Sequence, residues 1–80
     1  MKDLTMMSPS EKRREALSLL EKIERQDTPM AAAFRQQRDR VRSVISKAEE
    51  GTDAMWGVEY LLKSGLNASL LAFIQGVSTE

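Results

Sequence analysis

Apolar residues recur at helical spacing along most of this chain, and short polar breaks divide them. Between 9 and 26, Ala16, Leu19, Leu20 and Ile23 fall on one face with Leu17 at its edge, and Glu15, Ser18, Glu21, Lys22 and Arg25 lie opposite. That spacing predicts a half-buried amphipathic helix. Ser8-Pro9-Ser10-Glu11 supplies its start, a capping box with proline at the first helical position. Between 29 and 50, Met30, Phe34, Gln37, Val41, Val44 and Ala48 alternate in steps of four and three. The alternation predicts one continuous second helix of roughly 21 residues, with an apolar stripe interrupted only by Gln37. Thr28 is positioned to cap it, Pro29 to open it, and Gly51 to take the left-handed conformation that ends it. The connector Gln26-Asp27-Thr28-Pro29 is short, so the two helices are expected to form an antiparallel hairpin.

A third helix is predicted over 53–64. Thr52 or Asp53 caps it, and Ala54, Met55, Val58, Leu61 and Leu62 form its aliphatic face, with Trp56, Tyr60 and Lys63 on the other side. Gly57 weakens this helix and, without a side chain, could let another backbone come close. Ser64-Gly65-Leu66-Asn67 reads as a stop and a restart, with Leu66 touching Leu61 and Asn67 capping a fourth helix over 68–75. That last helix carries Leu70, Leu71, Ala72, Phe73 and Ile74 in an unbroken run, and a helix apolar all round is expected to be buried all round. Gly76 is read as its end. Residues 1–7 and 77–80 are read as loose tails. The expectation is therefore an all-α fold in a single domain over 1–80. It would be a small four-helix bundle, with the hairpin 9–26/29–50 and two shorter helices at 53–64 and 68–75.

Size sharpens the picture. An 80-residue chain buries only a little over ~60% of its unfolded surface, so its core alone gives marginal stability. Small domains are commonly stapled by disulfides or metal, or they associate. The chain has no cysteine and no histidine, which removes disulfides and the usual zinc ligands. Good helix packing or association is left. The net charge is zero, but residues 1–50 carry eleven Lys/Arg against nine Asp/Glu while residues 51–80 carry one against three. No apolar run reaches the ~18–20 residues of a membrane span, and MKDLTMMSPS lacks the apolar core of a secretory signal. A cytoplasmic location with no membrane partner is the expectation.

The chemistry of catalysis is thin. Histidine and cysteine, the commonest general base and a common nucleophile, are missing. No glycine-flanked serine elbow is present, and the four glycines are isolated rather than gathered in a phosphate-binding loop. Catalytic, cofactor and metal sites are all expected to be absent.

Three groups of residues could carry binding. Gly57 to Gly76 superficially resembles a helix-turn-helix, with Leu66, Leu71 and Ile74 at apolar positions after a glycine turn. Leu61 stands where such motifs keep a small residue, however, and NASLLAFIQG has no cation for phosphates or base edges. Two packed helices joined by a tight turn are the expected reading. Arg35, Arg38 and Arg42 form a stripe on the second helix, partly offset by Asp39. The stripe could meet phosphate or an acidic protein; its ordinary role is ion pairing with Glu21, Glu24 or a neighbouring subunit. Lys12, Arg13 and Arg14 crowd the first turn of the first helix, where the dipole disfavours cations. They are read as a solvated run.

Trp56 and Tyr60 are the most informative pair. Tryptophan and tyrosine, with arginine, dominate binding hot spots. With Leu70, Phe73 and Ile74 as aliphatic companions, they would form an apolar face that receives an amphipathic segment of another protein or a second copy of this chain. In size and composition the layout is similar to small bacterial accessory proteins, such as secretion co-chaperones, anti-activators and phage-encoded inhibitors. That similarity implies a non-enzymatic adaptor or regulator. A nucleic-acid-associated regulator using Arg35, Arg38 and Arg42 is the alternative, with nucleic acid the less expected partner. A structural homo-oligomer subunit is the third.

Overall fold

The capping signals place the helices. In the computed structural model, which describes residues 6–77, the Oγ of Ser8 accepts from the Glu11 N–H at 3.2 Å and Glu11 Oε1 accepts from the Ser8 N–H at 3.3 Å. This capping box opens α1, Pro9–Glu24. Thr28 Oγ1 accepts from the Ala31 N–H at 3.0 Å and opens α2, Pro29–Gln36. Then follow α3, Arg38–Lys47, and α4, Asp53–Ser64. A 3-10 turn, Gly65–Asn67, leads to α5, Leu70–Val77. The fold is all-α: the described residues form five α-helices and no strand.

The continuous second helix expected over 29–50 is instead two helices. Gln37, at φ −105° and ψ 19°, leaves helical geometry between α2 and α3. The i→i−4 bonds from Gln37 N–H to the Ala33 carbonyl and from Val41 N–H to the Gln37 carbonyl survive at 3.1 and 2.9 Å. The element therefore bends rather than stops. Its two halves serve different neighbours: α2 lies against α1 and α5, and α3 against α1 and α4. A straight rod could not follow both. The bend also turns Gln37 to solvent, while Phe34, Val41, Ile45 and Ala48 enter the core. Asp39 in the first turn of α3 favours the new helix start.

The core joins Ala16, Leu20 and Ile23 of α1, Phe34 of α2, Val41 and Ile45 of α3, Met55, Val58 and Leu61 of α4, and Phe73 of α5. The Cα extents are 33 × 32 × 17 Å. Packed helix axes lie ~8–10 Å apart and each Cα cylinder adds ~2.3 Å. A 17 Å thickness is therefore two layers of helix, and no third layer covers the outside of α5. The all-round burial expected for that helix does not occur: Leu71 is 64% exposed.

Other boundaries shift for local reasons. α1 ends at Glu24 rather than 26, because Arg25 and Gln26 close the helix with tightened bonds to Lys22 and Ile23. α3 ends at Lys47, and the chain then turns through Glu49–Thr52, where Gly51 takes φ +81°. Gly65 also has positive φ, +62°, but with ψ −137°. It starts a 3-10 turn rather than a left-handed stop, and Leu66 is left exposed instead of resting on Leu61. The cap of the last helix is Ser69, not Asn67: its Oγ accepts from the Ala72 N–H at 3.4 Å. α5 runs on through Gly76 to Val77, which is half-buried rather than part of a tail. The remaining tail expectations lie outside the described residues, except that Met6 is exposed and Met7 half-buried.

Two buried charges fasten α1. Lys12, expected in solvent, is 5% exposed, and its Nζ donates to Glu59 of α4 at 2.8 Å and to Glu50 at 3.5 Å. Beside it, Arg13 donates to the Ala48 carbonyl at 2.7 Å. These cations stand at the unfavourable end of the helix dipole because acceptors from the connector after α3 and from α4 converge there. At the other end, Glu24 is 8% exposed and its Oε1 accepts from Arg38 Nε at 3.1 Å. Its Oε2 is buried with no partner among the described residues, a cost of about 1–3 kcal/mol. The hydrogen bond to Glu59 is the first cause of a Lys12 pKa raised above 10.5, and it outweighs desolvation.

Lys12→Met is expected to destabilise the fold by about 2 kcal/mol in urea melts at neutral pH, because Glu59 keeps partial contact with water and loses less than a fully buried partner would. A folded pKa above the unfolded one means that the lysine's contribution is complete below the ordinary lysine range. It is lost as pH rises through the folded value. Stability of the parent should therefore fall above about pH 10.5, and Lys12→Met should flatten that part of the profile. An unchanged profile in the variant would show the pair to be idle.

Candidate protein-docking face

α4 and α5 form an antiparallel pair whose contact is set by two glycines. Thr52 opens α4, accepting from the Met55 N–H at 3.2 Å, and one turn later the helix presents Trp56 and Gly57. A Cβ on Gly57 would stand 2.7 Å from Phe73 Cε2 and 2.6 Å from Val77 Cγ1. The missing side chain is the notch that admits α5. On α5, a Cβ at Gly76 would overlap the six-membered ring of Trp56. The indole therefore lies directly on the α5 backbone.

Tyr60 completes the arrangement. Its ring stacks on Trp56 with centroids 5.5 Å apart and planes 2° from parallel. Its Oη accepts from the Ser69 N–H at 2.8 Å, just before α5 begins. The tyrosine is thus tied at the tip and flat against the indole. Trp56, held by Tyr60 and Gly76, is still 45% exposed.

The structure divides the five residues expected at the docking surface. Trp56 is exposed, and Tyr60 and Ile74 are half-buried. Leu70 and Phe73 face the core at 8% and 1% exposure, so they shape the face from beneath and cannot touch a partner. Leu70 and Phe73 sit on the side of α5 that meets α4 and α2, and Leu71, Ala72 and Gln75 take the outward side. Leu71 and Gly76 are the residues missed. The signal for Leu71 was Gln75, the one polar residue of the helix and four positions on, which marks the solvent side.

A second apolar feature lies at the start of α5. Met30 and Leu66, both exposed, line an open groove of about 270 Å³ with Ala68 and Ser69. Met30 Sδ accepts from the Leu70 N–H at 3.3 Å. Gln26, Thr28 and Asn67 complete its lining, and the groove is open where a small-molecule site is enclosed.

The arginine stripe is largely occupied. Arg35 donates to the Glu24 carbonyl at 2.7 Å and the Gln26 carbonyl at 3.2 Å, satisfying the end of α1. Arg38 pairs with Glu24, and Arg42 approaches Glu21 at 3.7 Å. The pairing expected with Glu21 and Glu24 is the one observed. The helix-turn-helix likeness does not survive the geometry: α4 and α5 run side by side from Tyr60–Ser69 to Trp56–Gly76, and the outward face of α5 has no cation. Among the described residues no group of three or more acidic, histidine or cysteine side chains is arranged to hold a metal ion, and no helix is long and apolar enough to cross a membrane.

Gly76→Ala tests the geometry of the face. The methyl must displace the indole, so the emission of Trp56, the single tryptophan, is expected to shift to the red. Stability should fall by about 1–2 kcal/mol, although alanine is the better helix former by about 1 kcal/mol. A variant with unchanged emission and higher stability would mean that the indole does not rest there. Compared with known protein families, curated proteins and solved structures, the chain matches none.

Proposed function

We propose that this protein is a non-enzymatic interaction module, and that the outward seam of α4 and α5 receives an amphipathic helix of another protein. The observation that carries this reading is Trp56, a half-exposed indole clamped between Tyr60 and Gly76. Large, rigid, partly solvated aromatic side chains lose little conformational entropy on binding, and they dominate measured interfaces. Leu71 and the small residue Ala72 extend the surface along α5, and a small residue lets a second helix approach closely. Roughly 100 Å² of exposed area from each of Trp56 and Leu71 is well short of the ~800 Å² per partner of a standard interface. A helix laid along the seam would draw the remainder from neighbouring polar rim. The same shortfall weighs against a stable homodimer built on this face alone.

The experiment uses the single tryptophan. Light scattering across protein concentration should give the monomer mass, with emission independent of concentration. A partner isolated by affinity capture and then purified should shift Trp56 emission to the blue, and Trp56→Ala should weaken its binding by at least about 30-fold, the hot-spot range of 2 kcal/mol or more. The melting temperature of the variant should fall, since the buried half of the indole packs on Tyr60 and Gly76, so binding is compared at a temperature where circular dichroism shows both proteins folded. A dimer whose emission is concentration-dependent would assign the face to a second copy. A partner indifferent to Trp56→Ala would remove the seam from the function.

A further inference from the structure

The basic character of this neutral chain is concentrated on α3. Its ten residues carry Arg38, Arg40, Arg42 and Lys47 against Asp39 alone. All five are exposed, as are Ser43 and Ser46. Helical geometry arranges six of them in two ridges, Arg38, Arg42 and Ser46 at steps of four and Arg40, Ser43 and Lys47 at steps of three and four, with Asp39 in the strip between. Val41 and Ile45 turn into the core, so the orientation of the helix is fixed and the ridges cannot rotate away. The two ridges differ in freedom. Arg38 and Arg42 spend part of their guanidinium groups on Glu24 and Glu21. Arg40 and Lys47 have no ion-pair partner among the described residues.

We propose that this outward face of α3 binds the phosphate backbone of double-stranded nucleic acid without reading its sequence. The chemistry of the face favours this polyanion over an acidic protein surface. Arginine, lysine and serine are the side chains that donate to phosphate oxygens. A protein interface needs an apolar or aromatic anchor at its centre, and between the ridges of α3 there is none. The lack of an aromatic side chain on the face likewise disfavours single strands, which are held by base stacking. Arg38 to Arg42 and Arg40 to Lys47 are separated by about 6 and 10 Å along the axis, at 1.5 Å per residue. This reach covers two or three phosphates of one strand. The relevant residues are also not those of the apparent stripe: Arg35 is committed to the end of α1, while Arg40 and Lys47 lie on the other ridge.

The test is fluorescence anisotropy with a labelled duplex of arbitrary sequence, about 25 base pairs long. At about 50 mM salt the parent should bind in the 10–100 μM range, as non-specific binders do, and a face neutralising about three phosphates should lose roughly 40-fold in affinity between about 50 and 200 mM salt. Arg40→Gln with Lys47→Gln should weaken binding at least fivefold and reduce the salt slope by nearly two. Both side chains are solvated and unpaired, and circular dichroism should show an unchanged fold. Removing the same charge elsewhere, by Arg14→Gln with Lys63→Gln, should change affinity less than twofold. Trp56→Ala should leave duplex binding intact, so this inference and the docking seam stand or fall separately. Absence of salt-dependent binding at 100 μM protein overturns the proposal, and so does an equal loss in the control variant. Tighter binding to a poly-glutamate peptide than to the duplex reassigns the face to an acidic protein.

Discussion

Two helices in this protein exchange an aromatic ring for a glycine in each direction. Gly57 on α4 receives Phe73 from α5, and Gly76 on α5 receives Trp56 from α4. The exchange brings the two backbones closer than side chains would otherwise allow, and it fixes their register, since sliding either helix would drive a ring into a Cβ. The inner ring seals the core at 1% exposure and the outer one remains 45% exposed. One contact thus makes both the stability of the C-terminal third and the apolar seam on its surface. The functional reading depends on that seam being rigid, and its rigidity comes from the same two missing side chains.

The N-terminal helix is held by a different device. Its buried stripe begins with Lys12 and ends with Glu24, a cation near the positive end of the dipole and an anion near the negative end. Both would be unfavourable on an isolated helix. Each is met by a charge of opposite sign from another element, Glu59 on α4 and Arg38 on α3. Buried ion pairs add little net stability, because desolvation offsets the attraction. Their effect here is directional. With Lys12 and Glu24 on opposite ends, a reversed or shifted α1 would bring each beside the wrong partner or none. The bend at Gln37 belongs to the same scheme: it lets Arg35 and Arg38 reach the end of α1 while Val41 and Ile45 still enter the core beside α4.

The legibility of these features followed their range. Ser8 with Glu11, Thr28 with Pro29, and Thr52 all act within four residues, and each opens a helix where the local pattern places it. Apolar periodicity also located Ala16, Leu20, Ile23, Met55, Val58 and Leu61 in the core. The bend at Gln37 escaped because the apolar spacing runs through it without a break; only the presence of different neighbours for α2 and α3 requires it. Lys12 escaped because its acceptors lie 38 and 47 residues away. In α5 the unbroken apolar run concealed which side faced out, and Ser69 rather than Asn67 became the cap once the 3-10 turn had used residues 65–67. Trp56 and Tyr60 were legible as a pair because they are four apart on one helix. The role of Gly76 depends on α5 folding back along α4 and was not.

Thickness links these observations to function. A body two helices thick gives every helix a solvent side, so the character of each outer face is open to selection at little expense to the fold. Most of that surface is mixed charge, as expected of a small neutral domain. Two faces depart from it, and they depart in opposite ways. The seam of α4 and α5 keeps an indole and a leucine outside, with no cation on α5; the outside of α3 keeps four cations and no large apolar group. A leucine that is 64% exposed contributes little to folding, and a single one requires no explanation. An indole whose position needs a glycine on the facing helix is different, because that glycine weakens α5 by up to about 1 kcal/mol relative to alanine. A smaller residue at 56 would free position 76 for alanine, but it would give up the ring that fixes the register of α4 on α5. In the docking proposed for this seam, the exposed part of that ring is what a partner helix would cover.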